Sequence, residues 1–174
     1  MKKYLLMLVV LMATAFTSQA QKAEIYFGYG GYTQMDAMDM HDNWHSVNTA
    51  WGAVTAGVNF KVAPKFKIGP SYSISSCTTA GGHNHSSILY NVVMFNGLYQ
   101  YWGNRTVRLY AHFGLGVEIS HLMPKWGDSY NKAYFAFQAS PIRAEASIAN
   151  NVNLYGELGF GAQGLVQVGV SFGL

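Results

Sequence analysis

Residues 107–119, with the sequence VRLYAHFGLGVEI, show the clearest side-chain pattern in the chain. Its odd positions are all apolar, whereas its even positions hold charged residues, Tyr, His and Gly. Successive side chains of a β-strand point to opposite faces, so this segment has one apolar face and one polar face. Residues 166–174 repeat the alternation, with Val, Phe and Leu at the even positions. Both stretches predict amphipathic strands.

The composition of the 174-residue chain narrows the class of protein. Hydrophobic residues make up 50% of the chain and charged residues only 11%, well below the ~25% of charged residues in ordinary soluble domains. The 19 Gly and 12 Tyr argue against a helix bundle, because Gly is a poor helix former and aromatic residues favour strands. The lone Cys77 excludes an intramolecular disulfide framework, and it is either unpaired or paired between chains.

The first 20 residues have the pattern of a secretory signal peptide. Lys2 and Lys3 precede an apolar run at residues 4–15 and a small-x-small site, Ser-Gln-Ala, at residues 18–20. A membrane anchor is the alternative, but the run is shorter than the ~20 residues that span a bilayer. We therefore expect a signal peptide at 1–20 and a single domain at 21–174. Loss of the two lysines lowers the formal charge from +3 to +1, which predicts no nucleic-acid partner.

Alternation along the rest of the chain predicts an all-β fold, an eight-stranded antiparallel up-and-down transmembrane β-barrel. In residues 87–102 both faces are apolar, so the pattern does not determine the register of this strand or which face points outward. At Ser140-Pro141 the apolar parity switches, which predicts a β-bulge. The predicted strands are 23–32, 49–62, 66–76, 87–102, 106–119, 132–148, 152–161 and 165–174.

The predicted connections alternate in length. Short turns lie at 63–65, 103–105 and 149–151, and the final link at 162–164 is also short. Longer polar stretches lie at 33–48, 77–86 and 120–131. Long loops on one rim and tight periplasmic turns on the other are typical of transmembrane barrels.

Charged residues fall on the polar face of the predicted strands. Acidic and basic groups would meet inside the barrel, where unpaired charge is costly, so we expect them to pair and to fill the narrow interior. Solute diffusion through the barrel is therefore not expected. The predicted lumen network is Glu24, Lys61, Lys67, Arg108, His112, Glu118, Arg143, Glu145 and Glu157.

These features together resemble the small eight-stranded outer-membrane β-barrel proteins, the OmpA-like and OmpX-like barrels. The tail at 167–174, QVGVSFGL, is similar to the C-terminal signal that such proteins present to the barrel assembly machinery, with Gln167, Gly169, Phe172 and Leu174 at the signal positions. Leu174 stands where Phe or Trp is usual. The resemblance implies a cell outer-membrane location, with outer-membrane lipid and the assembly machinery as partners. It does not imply one activity, since such barrels include structural proteins, adhesins and lipid-modifying enzymes.

Candidate chemistry lies mostly in the long loops. His41 and His45, near carboxylates and thioethers, and His83 and His85 are weak candidates for a surface metal site. The spacing of His85 and Ser87 is similar to that in lipid A deacylases. His112 is expected to join the lumen hydrogen bonds and not to act in acid–base catalysis. The nearby tryptophans are predicted to form an aromatic belt or a contact surface, namely Trp44, Trp51 and Trp126.

The sequence therefore favours a non-enzymatic barrel with a side-chain-filled lumen and no cofactor. Its role would be structural, or an interaction at the cell surface through the long loops, with an extracellular partner that the sequence does not identify. The alternatives are a lipid-modifying enzyme similar to lipid A deacylase and a barrel that binds a metal or another small ligand.

Overall fold

The computed structural model describes residues 23–38, 46–80, 87–124 and 128–174. They form a closed barrel in which each strand pairs antiparallel with the next and β1 closes onto β8. The predicted fold class is confirmed. The strands are β1 (Ala23–Gly31), β2 (Ser46–Ala63), β3 (Phe66–Ala80), β4 (Ser87–Gly103), β5 (Val107–Met123), β6 (Tyr130–Ala149), β7 (Val152–Gly161) and β8 (Val166–Gly173), and helix α1 (Gln34–Met38) follows β1.

Tight turns connect β2 to β3, β4 to β5 and β6 to β7 at one end of the barrel, here called the short-turn rim. Asn104 shapes the second turn, because its side-chain oxygen accepts hydrogen bonds from the backbone N–H groups of Thr106 and Val107, at 2.9 and 2.8 Å. Asn151 adopts a positive φ of 76° in the third turn, a conformation that Asn tolerates better than most residues. The opposite end is the long-loop rim.

Several strands run further toward the long-loop rim than their side-chain pattern predicts. β2 begins at Ser46, β3 continues to Ala80 and β5 continues to Met123. The backbone ladder persists there, with Ser46 opposite Ala80, because main-chain pairing does not require apolar side chains. The helix α1 was not predicted, since five residues are too few to show a helical period.

The predicted bulge in β6 is confirmed. The pairing of β6 with β7 shifts between Ala139 and Ile142. Before the shift the inward positions are even-numbered, as at Gln138, and after it they are odd-numbered, as at Arg143. The extra residue accounts for the parity switch at Ser140-Pro141.

The two apolar faces of β4 have different surroundings. Val93 and Phe95 point outward, whereas Ile88, Val92 and Met94 are buried inside the barrel. The inward residues belong to a cluster, here called the apolar lumen cluster, that fills the lumen near the long-loop rim. Its members are Met35, Cys77, Ile88, Tyr90, Val92, Met94, Leu122, Ala136 and Ala162. Cys77 is thus a buried thiol. In this position its sulfur does not face another chain.

In the described part of the chain, no helix combines the length and the apolar character needed to cross a membrane.

Candidate functional site

The half of the lumen nearer the short-turn rim holds a buried group of charged residues, here called the charged cluster. Inward positions of β1, β3, β5, β6 and β7 supply its members, because every second residue of a strand faces the interior. They are Glu24, Lys67, Arg108, His112, Arg143, Glu145 and Glu157.

Lys67 joins two carboxylates from different strands. Its ammonium nitrogen donates to Glu24 Oε2 at 2.6 Å and to Glu145 Oε2 at 3.1 Å. It also lies 4.7 Å from the centre of the Tyr110 ring, within the range of a cation–π contact. The lysine therefore ties β3 to β1 and β6 across the lumen.

Arg143 lies at the centre of the charged cluster and is 0% exposed. Its Nη1 donates to Glu157 Oε2 at 3.3 Å, and its Nε lies 3.4 Å from Glu145 Oε1. The guanidinium carbon lies 3.7 Å from the centre of the Tyr155 ring and 5.2 Å from that of Tyr26. A buried cation flanked by two carboxylates and two rings closes the middle of the lumen.

His112 is held on both sides by hydrogen bonds. Its Nδ1 lies 2.8 Å from Glu157 Oε1, and its Nε2 lies 3.1 Å from Asn96 Oδ1. Ser140 also donates its hydroxyl to Glu157. The imidazole is buried and both of its nitrogens are engaged, so its geometry fits a place in the structural network.

Two residues of the predicted lumen network stand apart from the charged cluster. Lys61 is exposed at the end of β2, where the pairing with β3 shifts between Lys61 and Ala63. Glu118 is buried, but neither of its carboxylate oxygens has a hydrogen-bond partner among the described residues. Ten residues of β5, about 33 Å at the usual rise, separate Glu118 from Arg108, so a common face does not make them neighbours.

Sequence reasoning missed the aromatic part of the site. Tyr26 and Tyr155 flank Arg143 and pack edge to face, with ring centres 6.2 Å apart. The alternation of the strands does place both tyrosines on the inward face, since Tyr26 has the same parity as Glu24 and Tyr155 the same parity as Glu157. A tyrosine alone does not indicate a lumen position, because aromatic residues also occur on the lipid side of such strands.

Two segments close the lumen at the long-loop rim. Ala162 and Gln163, between β7 and β8, fold inward and are fully buried. Gln163 donates its backbone N–H to Gln138 Oε1 at 3.0 Å and its side-chain amide to Ser71 at 3.1 Å. A Cβ at Gly30 would lie 1.7 Å from the Gln163 carbonyl oxygen, so this approach requires glycine.

The second segment is the start of α1. The Gln34 side chain donates to the Phe135 carbonyl at 3.1 Å and accepts from the Phe137 N–H at 3.4 Å. Thr33 and Asp36 exchange hydrogen bonds at the helix start, as in an N-terminal cap. This end of the barrel is thereby covered by the chain itself.

The loop candidates fall mainly outside the described residues, which include none of His41, His45, His83, His85, Trp44 and Trp126. Ser87 is exposed at the start of β4, and Trp51 is exposed on β2. No group of three potential metal-ligating side chains occurs among the residues that the structure describes. In the C-terminal tail Gln167 faces the lumen, whereas Phe172 and Leu174 are exposed on the outside.

The outside of the barrel is apolar between its two rims. Side chains at mid-height, such as Val93, Leu115 and Phe135, are 58%, 60% and 62% exposed. Within the described ranges, exposed charged side chains lie only near the ends of the strands, at Lys61, Lys65, Arg105, Asp128 and Lys132. A barrel in water would expose charge around its whole circumference, whereas an apolar band between polar rims matches a bilayer. The protein is a transmembrane β-barrel. Closed antiparallel barrels with short turns at one rim are the architecture of bacterial outer-membrane proteins, which agrees with the predicted location.

Among solved structures, the fold is similar to that of Ail, the attachment invasion locus protein of Yersinia pestis. The complex of Ail with the heparin analogue sucrose octasulfate has a TM-score of 0.49 and 12% identity, covering 89% of this chain and 96% of that one. The backbone structure of Ail in a phospholipid bilayer nanodisc has a TM-score of 0.46 and 11% identity, covering 88% and 99%. No protein-family model and no curated protein sequence matches the chain.

Proposed function

We propose that the protein is a non-enzymatic outer-membrane barrel that is closed to solutes and acts structurally or through its long extracellular loops. The filled lumen is the main support for this proposal. The charged cluster blocks the half near the short-turn rim, and the apolar lumen cluster, Gln163 and α1 block the other half. An eight-stranded barrel has an interior just wide enough for such side chains.

The surface role is supported by the shape of the long-loop rim. The strands β2 to β6 are 15 to 20 residues long, whereas β1, β7 and β8 have only 8 to 10 residues. A membrane strand needs only ~9–11 residues, so the longer strands carry their connecting loops beyond the bilayer. Loops held away from the lipid surface are accessible to an extracellular partner.

The C-terminal strand fits a role in assembly. Phe172 and Leu174 are exposed on the lipid side of β8 at the short-turn rim, which faces the periplasm in such barrels. Under this proposal they are available to the barrel assembly machinery before β8 closes onto β1.

We expect the protein to form no ion-conducting channel in a planar lipid bilayer. Reconstituted barrel should give no stepwise conductance at moderate voltage, because the buried Arg143 and its carboxylate partners leave no continuous water path. An open porin reconstituted in the same lipid serves as the positive control. Regular conductance steps that scale with the amount of protein added would contradict the closed lumen.

Trimming the loops should separate the surface role from the structural role. Residues 39–45, 81–86 and 124–129 lie between the strands, so short Gly-Ser linkers can replace them without shortening the sheet. Cells lacking the protein would receive either the full chain or the trimmed chain. A surface role predicts that only the full chain restores cell attachment, whereas a structural role predicts that both restore resistance of the envelope to detergent. If neither chain changes attachment or resistance, the proposal is wrong.

A further inference from the structure

We infer that the short-turn rim contains a binding site for a small dianion bearing phosphate or carboxylate groups. The rim encloses a cavity of about 320 Å³ between the turns and the charged cluster. This volume is at the lower end of the range for small-molecule sites. The side chains that give the cavity its charge are Glu24, Lys61, Lys65, Lys67 and Arg108.

The charge balance of the cavity favours an anion. Glu24 and the buried Glu145 beneath it contact Lys67, and Glu145 also lies 3.8 Å from Arg108 Nη2. These two carboxylates offset the charges of Lys67 and Arg108. Lys61 and Lys65 are exposed on the cavity wall, and neither forms an ion pair with another described residue. The side chains at the mouth therefore carry an excess of two positive charges, which favours a dianion.

Arg108 is already fixed in a direction suited to binding. Its Nη2 donates to Asn153 Oδ1 at 2.7 Å and to Ser147 Oγ at 3.4 Å. A positioned guanidinium loses little side-chain freedom when it binds an oxyanion, which favours affinity.

The cavity also has an apolar part and is closed on its inner side. Phe66 and Tyr110 line it beside the basic residues, so a dianion attached to a small ring or chain fits better than a bare ion. Arg143 and its two tyrosines close the lumen behind the cavity. A ligand therefore arrives through the short-turn rim, which faces the periplasm in transmembrane barrels.

Calorimetric titration of the full barrel in a non-ionic maltoside detergent tests the site, since this detergent carries neither phosphate nor carboxylate. The probes, at pH 8 and low salt, are phenyl phosphate, phthalate and the monoanion benzenesulfonate. We expect at least one of the two dianions to bind saturably, and roughly tenfold more tightly than benzenesulfonate, because one added charge contact in a partly wet site has about that effect. Which dianion binds decides between phosphate and carboxylate chemistry.

Matched variants test whether the dianion binds in this cavity. Lys61→Gln and Lys65→Gln should each weaken the dianion about three- to tenfold. Arg105→Gln removes the same charge from the same rim but lies outside the cavity lining, so it should leave affinity unchanged. The absence of saturable binding by either dianion up to about 10 mM would overturn the inference, and so would an equal loss of affinity in the Arg105 variant.

Discussion

Replacement of Arg143 by Ala should destabilise the barrel by about 3–5 kcal/mol, the range found when one partner of a buried charge network is removed. The substitution leaves Glu145 and Glu157 without their central cation. It also removes the group that packs against the rings of Tyr26 and Tyr155. Urea unfolding of the barrel in lipid vesicles, monitored by tryptophan fluorescence, measures the change in the free energy of unfolding.

Arg105→Ala is the matched control for this prediction. Arg105 is exposed in a short turn, and its loss should change stability by no more than about 0.5 kcal/mol. If Arg143→Ala prevents folding altogether, the double variant Arg143→Met, Glu157→Gln should fold better, because it also removes the carboxylate that loses its arginine, while Glu145 keeps its contact with Lys67. An Arg143→Ala barrel as stable as the Arg105→Ala barrel would show that the charged cluster does not stabilise the fold.

The lipid side of β5 should tolerate no charge at the middle of the strand. Leu115→Arg should cost about 2–4 kcal/mol of stability in vesicles, because it places a charge on the lipid face near the bilayer midplane. Leu115 lies halfway along β5 and is opposite Phe95 on β4 and Phe137 on β6. The same unfolding measurement detects the loss.

Met123→Arg tests the depth dependence of this effect. Met123 is exposed at the last position of β5, at the long-loop rim, where an arginine should cost only about 0–1 kcal/mol. Equal costs at the two positions would mean that the apolar band does not follow the depth of a bilayer. A barrel that gains solubility in plain buffer from Leu115→Arg would indicate a water-facing exterior.

The faces of the strands could be predicted from sequence because alternation is a local property. A strand such as β5 shows its period over 13 residues without reference to its neighbours, and even the bulge in β6 is visible as a change of parity at Pro141. Where the pattern is apolar on both sides, as in β4, local reasoning gives no orientation. The structure resolves it through the apolar lumen cluster.

The partners inside the lumen could not be predicted in the same way. Parity places Lys61, Glu118 and Arg143 on one face, but the height of each residue depends on register and stagger between strands. Register brings Lys67 to Glu24 and Glu145 from separate strands. It places Glu118 opposite Val92 of the apolar lumen cluster and leaves Lys61 exposed at the end of β2. The inward fold of Gln163 depends on contacts with residues far away in sequence, so no local pattern predicts it.

The proposed closed lumen and the proposed anion site would give the two ends of the barrel different roles. The long-loop rim presents loops on extended strands, whereas the short-turn rim offers a small charged site that opens on the other side of the membrane. The charged cluster separates them, so a ligand in the cavity would not pass through the barrel.

One face of each strand contacts lipid, while the other faces a filled lumen. Nitroxide labels at single cysteines along residues 111–119, in a Cys77→Ser background, test it most directly in lipid vesicles. We expect oxygen to reach the labels with a period of two and most strongly at positions 113, 115 and 117, while a water-soluble nickel complex reaches none of those three. Strong access of the nickel complex to these positions, or oxygen access that does not alternate along the strand, would contradict this arrangement.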